Sequence, residues 1–413
     1  MVDRHFNWYN HLASHSGVEQ ALAYLKEISG KARSAFILNG ASGVHAQLSF
    51  LGRSLPVGTD EACDAAVEVH KKDLSSTHRT DKAILARAKE FATKWARRNL
   101  SRAEYMPATD IPTQSSCSER TATKGGLRSY VLDLGVHPDA AVLCEQLKGP
   151  FQDRLSVMTD VSRTAHARDL IRAGLPASEV VCLAERGLKT RVITKSSAGL
   201  HLAGHIVRKR LLGGLRRTAE SLSTLIGFQD SDVLDGLVGA ECEAVVSTDL
   251  TRASDLLPLD LVAAIVEGVI LSGKLTSVEA DCLRLMTGPQ QIAYPDGHTF
   301  TSSRGILMGL PTTWAVLSLC HLFWWKDSIR TVARRRRVPL KDAFSRNKFM
   351  ICGDDALFAG WDDVQEEYLN VMTACGGQPS KGKHFVSAGA KQRGVFLERL
   401  YSIEKDKQGF VVG

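Results

Sequence analysis

The sequence predicts an α+β fold in which a helical N-terminal part precedes a small antiparallel sheet backed by helices. Three stretches of the first hundred residues, 18–28, 61–70 and 81–100, carry apolar side chains at helical spacing. From about residue 244, short β-branched segments alternate with helical ones, an order typical of a sheet covered by helices. With 413 residues, of which 44% are apolar and 23% charged, the chain has the composition of a globular protein with two or three domains.

Charge and cysteine usage narrow the functional classes. The net charge of +7 indicates an anionic partner, and nucleic acid is the commonest one. Nine cysteines are scattered without a Cys-x-x-Cys pair, which predicts a reducing compartment and neither a disulfide framework nor a zinc ribbon. The sequence shows no signal-peptide core, and the apolar stretch 256–271 is broken by Asp260 and Glu267. We therefore expect no membrane span.

Residues 138–185 are expected to be helical, and a basic segment follows them. Lys189, Arg191 and Lys195 occupy alternating positions, so on a strand they share one face. A one-sided basic ladder suits a triphosphate or a phosphodiester backbone. An ordinary surface strand explains the same pattern.

The stretch 349–359 runs apolar, turn, apolar, which predicts a hairpin with Asp354 and Asp355 at its tip. Adjacent carboxylates repel each other, so a bound cation stabilises such a pair. Mg²⁺ prefers oxygen ligands and fits this role.

A β-branched strand over 244–248 runs into Asp249, and we expect Asp249 and Asp354 to face each other from neighbouring strands. Two metal ions held by such carboxylates activate a 3′-hydroxyl and stabilise a leaving pyrophosphate. Asp255, six positions after Asp249, is expected at the start of the next helix. A carboxylate there can accept a hydrogen bond from a ribose 2′-hydroxyl.

Two further segments carry ligand-binding signals. Gly305 and Gly309 permit a tight backbone path just before a buried helix that starts at Thr312. This loop either simply enters a core helix or contacts template and nucleotide. In the basic segment 378–387, Lys381 or Lys383 is a candidate general acid near a leaving pyrophosphate.

Taken in their order along the chain, the five segments resemble motifs F, A, B, C and D of the palm-type RNA-dependent RNA polymerases of positive-strand RNA viruses. Residues 189–195, 308–314 and 383–387 resemble the narnavirus-like and ourmia-like (botourmiavirus) group in particular. The segment 116–126 is similar to an upstream motif of the ourmia-like enzymes, and 393–400 is similar to motif E, the primer-grip strand pair. The resemblance covers about residues 110 to 400.

The resemblance implies a right-hand polymerase with helical fingers and a small antiparallel palm sheet. Its implied activity is template-directed synthesis of RNA from ribonucleoside triphosphates, with RNA template and product as partners and Mg²⁺, or Mn²⁺ in its place, as cofactor. It also assigns the site residues. These are Asp249 and Asp354 as metal ligands supported by Asp355, Lys383 or Lys381 as the motif D lysine, Lys189, Arg191 and Lys195 at the triphosphate, Asp255 at the ribose, and Gly309 and Thr313 from motif B.

The expected domains are an N-terminal helical extension (1–110), fingers that include basic motif F (111–243), a palm with motifs A to E and a fingers insertion at about 272–300 (244–400), and the start of a thumb or a truncated end (401–413). The thumb is therefore expected to be short or missing, because the chain is a fragment or because a second chain supplies the thumb. Met308 and Leu317 stand where many relatives carry serine and asparagine. The expected compartment is the host cytoplasm, with the mitochondrion as the alternative.

Other classes fit less of the sequence. A reverse transcriptase is expected to carry an aromatic residue where Cys352 stands and a bulky gate where Asp255 stands. A non-catalytic basic RNA-binding protein explains the charge but not three acids at two strand ends. A phosphate-binding P-loop over 377–384 would end in His384 where it needs serine or threonine.

Two smaller patterns leave alternatives open. His201 and His205 have helical zinc-ligand spacing, but Leu202 stands where a zinc peptidase needs glutamate, and a plain histidine pair explains them. The arginine run 334–337 is either an RNA-backbone contact or a solvated turn.

Overall fold

A computed structural model gives the fold of the chain. It describes residues 11, 17–39, 55–101, 113–134, 137–138, 140, 142, 161–166, 168–169, 172, 177–222, 225, 230–380, 383–389 and 392–413. The described helices are α1 (Val18–Asn39), α2 (Asp60–Ser75), α3 (Lys82–Asn99), α4 (Gly126–Leu134), α5 (Ala198–Leu215), α6 (Ala219–Leu222), α7 (Asp230–Leu237), α8 (Leu259–Leu271), α9 (Ser277–Thr287), α10 (Thr313–Arg336), α11 (Leu340–Arg346) and α12 (Asp362–Ala374). The described strands are β1 (Ala177–Glu185), β2 (Lys189–Ser196), β3 (Ala244–Thr248), β4 (Gln291–Ala293), β5 (Thr299–Thr301), β6 (Lys348–Cys352), β7 (Asp355–Gly360), β8 (Phe385–Ala388), β9 (Gln392–Phe396) and β10 (Arg399–Ile403).

The central sheet has the strand order β6-β7-β3-β8, and every neighbouring pair is antiparallel. Because side chains alternate along a strand, those of β7 pack into two hydrophobic cores, one on each face of the sheet. Phe358 belongs to the larger core and stacks on Trp325 of α10 at 4.6 Å between ring centroids, whereas Leu357 faces a smaller core with Phe396. Trp325 also stacks on Tyr368 of α12 at 3.9 Å. The predicted hairpin, the antiparallel sheet and the helices that cover it are confirmed.

A second sheet has the order β2-β1-β4-β5. The expected helix over 138–185 is wrong at its end, because residues 177–185 form β1, and most of the rest lies outside the described residues. Its strand conformation is explained by pairing: residues 178–185 of β1 pair antiparallel with the whole of the basic β2. Glu179 stands opposite Lys195 and forms an ion pair with it at 2.8 Å. Cross-strand pairs of opposite charge of this kind stabilise a sheet.

The N-terminal helices pack directly onto the core that carries the central sheet. Helix α3 lies against α8, where Gly268 allows close approach: a Cβ at this position would stand 2.3 Å from the Lys89 carbonyl oxygen. At the end of α2, the Leu74 carbonyl accepts a hydrogen bond from the Ser303 amide at 2.8 Å. The three predicted N-terminal helices are confirmed, with α1 and α2 longer than the periodicity indicated.

The last described residues, 392–413, pack against the smaller core, which contains Phe396. Strands β9 and β10 form a hairpin whose two turn residues, Leu397 and Glu398, both have positive φ, at 50° and 63°. After β10, isolated bridges join Phe410 to Glu241 and Val411 to Lys405. The expected boundary at 400 lies within β10, and all the domain boundaries stay predictions.

Two of the four arginines at the end of α10 form ion pairs within the protein. The Arg336 guanidinium contacts carboxylates of Glu243 and Asp363 at 3.1 and 2.9 Å and stands 4.5 Å over the Trp361 ring. Arg335 contacts Asp363 at 3.6 Å. These two arginines connect α10 to α12 and to the segment before β3. Arg334, Arg335 and Arg337 are exposed, and an RNA-backbone contact of the run stays a prediction.

Candidate active site

Two carboxylates meet at one end of the central sheet. Asp249 directly follows β3, and Asp354 lies in the turn between β6 and β7, the strand next to β3. Burial of Asp354 and its closeness to the Asp249 carboxylate raise the pKa of Asp354. Asp249 and Asp354 therefore face each other across neighbouring strands, as the sequence predicts.

A lysine from the loop before β8 neutralises this pair in part. The Lys383 ammonium donates to Asp249 Oδ2. The loop is fixed beside β3 by its backbone, since the Ser380 amide donates to the Asp249 carbonyl at 2.8 Å and the Thr251 amide to the Gln378 carbonyl at 2.9 Å. Of the two candidate lysines, the structure brings Lys383 to the acids, whereas Lys381 lies outside the described residues.

The turn that presents Asp354 depends on a glycine and a buried histidine. Gly353 has φ of 64°, and a Cβ there would stand 2.7 Å from Trp314 Nε1. The Gly353 carbonyl accepts a hydrogen bond from His321 Nδ1 at 2.9 Å, and His321 Nε2 pairs with the Tyr368 hydroxyl at 2.8 Å. Burial lowers the pKa of His321 to about 4. A neutral imidazole thus ties the turn to α10 and α12.

Asp355 points away from this pair toward the β9–β10 hairpin. Its Oδ2 accepts a hydrogen bond from the Leu397 amide at 2.7 Å. Burial raises the pKa of Asp355 to about 7, against the lowering effect of the Leu397 hydrogen bond. The structure therefore separates the two adjacent acids: Asp354 faces Asp249, and Asp355 anchors the turn of the next hairpin.

Asp255 lies in a different, more enclosed place. It is only 8% exposed and accepts a hydrogen bond from Ser254 Oγ at 3.0 Å, and burial raises its pKa to about 7. Asp73 of α2 lies near it and forms an ion pair with Arg252 at 2.8 Å. The expected position at the start of a helix is wrong: Asp255 belongs to the turn after Asp249, and α8 begins four residues later, after Pro258.

The glycine loop before α10 closes onto the basic strand β2. The Met308 carbonyl accepts hydrogen bonds from the Thr194 amide at 3.0 Å and the Thr194 hydroxyl at 2.9 Å. Gly309 has φ of 111°, and a Cβ there would stand 2.6 Å from the Thr194 carbonyl oxygen. Thr313 is buried and donates to the Leu307 carbonyl at 2.7 Å. The loop is thus held at both ends, and Gly309 permits the contact with β2.

Strand β2 carries the predicted row of basic side chains, but acidic side chains of β1 form ion pairs with two of them. Lys189 and Arg191 are exposed, Arg191 lies 3.2 Å from Glu185, and Lys195 pairs with Glu179. Arg191 also stands close enough to Asp354 to oppose the rise in the pKa of that carboxyl. The structure thus brings two cations to the Asp249–Asp354 pair: Arg191 from β2 and Lys383 from the loop before β8.

The donor set suits a hard divalent cation in its chemistry. Asp249 and Asp354 offer carboxylate oxygens, which Mg²⁺ prefers, and the mutual repulsion seen at Asp354 is what a cation relieves. In the part of the chain that the structure describes, no group of three or more His, Cys, Asp or Glu side chains is placed to hold a metal ion. Metal binding by Asp249, Asp354 and Asp355 stays a prediction, and the His201–His205 pair gains no support as a zinc site.

Comparison with known proteins adds independent evidence. No family model matches the chain. The chain is 36% identical to the RNA-directed RNA polymerase of Saccharomyces 20S RNA narnavirus over 426 aligned positions, which cover 97% of this chain and 50% of that protein. It is 34% identical to the RNA-directed RNA polymerase of Saccharomyces 23S RNA narnavirus over 381 positions, 87% of this chain and 39% of that protein. Over nearly its whole length the chain is similar to narnavirus RNA-directed RNA polymerases. It spans half of the first relative's length and less of the second's.

The sequence did not predict the residues that hold these acids in place. His321 and Tyr368 reach the Gly353 turn from two helices, and Asp73 reaches Arg252 from α2. The only sequence signal for His321 is a histidine inside an otherwise apolar helix. None of the helices that the structure describes combines the length and apolar character that a bilayer crossing requires.

Proposed function

We propose that this chain catalyses template-directed synthesis of RNA from ribonucleoside triphosphates on an RNA template, in the cytoplasm of a host cell. One observation carries the proposal: the Asp249 and Asp354 carboxylates meet at the end of the central sheet, with Arg191 and Lys383 beside them. The similarity to two narnavirus RNA-directed RNA polymerases supports the same activity. In this proposal the central sheet is the palm of a right-hand polymerase, and the β1–β2 sheet belongs to the fingers.

The proposed chemistry assigns each of these groups a task. Asp249 and Asp354 would hold Mg²⁺, and a bound Mg²⁺ would supply activation of a 3′-hydroxyl and neutralise charge on the leaving pyrophosphate. Arg191 binds the triphosphate through its guanidinium. Lys383 holds a proton close to the leaving group. A second chain that supplies a thumb gains no support from the comparisons and stays a prediction.

Replacing Asp354 by asparagine tests the proposal. We expect Asp354→Asn to abolish Mg²⁺-dependent primer extension, by about a thousandfold or more, because one of two metal carboxylates is lost. RNA affinity should change little. Asp342→Asn removes an exposed carboxylate on α11 and is the matched control. Normal extension by Asp354→Asn would show that the site is wrongly assigned, and a wild-type chain that binds RNA without extending a primer would favour the non-catalytic alternative.

Asp255 gives a second test, of substrate choice. The proposal assigns its carboxylate to the ribose 2′-hydroxyl, so Asp255→Ala should reduce the preference for NTP over dNTP by about tenfold or more. The measurement is the ratio of kcat/KM for the two substrates. Unchanged discrimination would refute this role, and a wild-type preference for dNTP would favour a reverse transcriptase.

A further inference from the structure

A basic cleft lies between α3, α10 and the start of β6. It consists of two adjoining cavities of about 230 and 400 Å³ that share Arg98, Lys326 and Arg330. The described residues that line the two cavities include six basic side chains and a single acidic one, Glu220. The basic ones are Lys94, Arg98, Arg217, Lys326, Arg330 and Lys348.

The cleft is separate from the active site. Lys348 begins β6, whose other end leads into the Gly353 turn. At roughly 3.3 Å per residue, this strand places Lys348 on the order of 15 Å from the turn. Arg330 is nine residues beyond His321 on α10, or roughly 13 Å along the helix axis. Both elements therefore carry their cleft residues away from Asp354.

Part of the positive charge in the cleft is not compensated within the described chain. Glu220 pairs with Lys326 at 2.7 Å, and Glu90 pairs with Lys94 at 2.5 Å. The Arg217 Nη1 donates to the Asn99 carbonyl at 2.8 Å. The side chains of Arg98 and Lys348 form no hydrogen bond or ion pair with any residue that the structure describes.

The guanidinium of Arg330 is partly enclosed by the protein. It stands 5.6 Å over the Phe344 ring, and burial lowers the pKa of Arg330. A cation that has lost much of its hydration gains most from a bound anion. An anionic ligand in the cleft would meet Arg330 beside Arg98 and Lys348.

We propose that this basic cleft binds the phosphate groups of an RNA strand at a second site, apart from the active site. The choice of RNA rests on the proposed function. The cations form two rows at i, i+4 spacing, Lys94 with Arg98 on α3 and Lys326 with Arg330 on α10, about 6 Å apart within each row. Repeated charges of this kind match a polyanion with regularly spaced phosphates, and guanidinium groups bind phosphate oxygens in pairs.

The test removes two cleft cations whose side chains contact no acidic partner in the described chain. The double variant Arg98→Ala/Lys348→Ala should bind a labelled single-stranded RNA about tenfold more weakly near 100 mM salt, measured by fluorescence anisotropy. The slope of log affinity against log salt should fall by roughly 1.4, that is roughly 0.7 for each lost phosphate contact. The control Arg97→Ala/Lys341→Ala removes two exposed charges that do not line the cleft and should change both quantities much less.

Each result decides the proposal independently of catalysis. Wild-type affinity and slope in the cleft variant, or equal losses in the control, overturn the cleft as an RNA site. Loss of binding to a poly-glutamate peptide with unchanged RNA binding also overturns it, in favour of an acidic protein partner. In the Asp354→Asn background the cleft effect should persist, and the cleft variant should still extend a short primer–template. Failure of primer extension in the wild type therefore leaves the cleft result readable.

Discussion

At the scale of single residues, one hydrogen bond separates the functions of the two neighbouring acids. Asp355 Oδ2 accepts from the Leu397 amide, in a turn where two non-glycine residues have positive φ. Such a turn costs free energy and needs outside support. We infer that Asp355 acts mainly as a hydrogen-bond acceptor that positions the β9–β10 hairpin, and that Asp354 carries the functional charge.

This difference predicts opposite results for the same substitution at adjacent positions. Asp355→Asn keeps an acceptor for the Leu397 amide and should retain primer extension within about tenfold of the wild type, whereas Asp355→Ala should lose about 1–3 kcal/mol of stability. Extension rates and urea denaturation measure the two effects. If Asp355→Asn is as inactive as Asp354→Asn, Asp355 serves the metal site and the assignment to the hairpin is wrong.

Residue identity predicted the acids but not their surroundings. Asp249, Asp354 and Lys383 follow recognisable local patterns, and the structure brings them together. The burial of Asp255 was not predictable, because it depends on α2, whose residues are about 180 positions away in sequence. A sequence pattern reports spacing along the chain and not what another element places on top of it.

At the scale of elements, helix packing depends on small residues that intrinsic propensity would replace. Gly268 lies inside α8, and a Cβ there would stand 2.3 Å from the Lys89 carbonyl and 2.8 Å from the Ala92 Cβ on α3. In an exposed helix, glycine to alanine stabilises by up to about 1 kcal/mol. Here the two helix backbones would have to separate, which costs more than the propensity gain.

Gly268→Ala should therefore lower the free energy of unfolding by about 1–3 kcal/mol. The matched control is Gly213→Ala on α5, where the added Cβ meets nothing within 4 Å. That variant should be neutral or more stable by up to about 1 kcal/mol. Urea denaturation of both variants measures the difference, and a stabilised Gly268→Ala would contradict the close packing of α3 on α8.

Elements were predictable where the pattern is local. The hairpin of β6 and β7 has apolar flanks around a glycine turn, and the structure has it as expected. Strand β1 has the same apolar character as the helical stretch expected there, and its conformation is decided by pairing with β2 and β4. Strand β4 is more than 100 residues away from β1 in the sequence. A short stretch of sequence around β1 therefore does not contain the information that decides its conformation.

At the scale of the whole molecule, the N-terminal helices and the active-site region share one core. Leu74 of α2 belongs to the same buried cluster as Ile306 and Phe358. Through the hydrogen bond from Ser303 to the Leu74 carbonyl, α2 also fixes the glycine loop. Interactions of this kind make the stability of the entire protein depend on groups buried where α2 meets this loop and β4.

One such group, His70, predicts a pH dependence of stability. Burial lowers the pKa of His70 from 6.5 to about 4, and its Nδ1 pairs with the Tyr294 hydroxyl at 2.9 Å. Between these two pH values the unfolded chain binds more protons at this position than the folded chain, so stability falls as the pH falls from 6.5 toward 4. The full loss amounts to about 3 kcal/mol.

His70→Gln should flatten this part of the pH profile, because the variant has no imidazole to protonate on unfolding. The measurement is the free energy of unfolding in urea at several pH values between 4 and 6.5. Tyr294→Phe is the control: it removes the hydroxyl partner and lowers stability at every pH, but it keeps the buried imidazole and therefore the slope. If His70→Gln retains the wild-type slope, other buried groups such as His321 determine the acid sensitivity of the molecule.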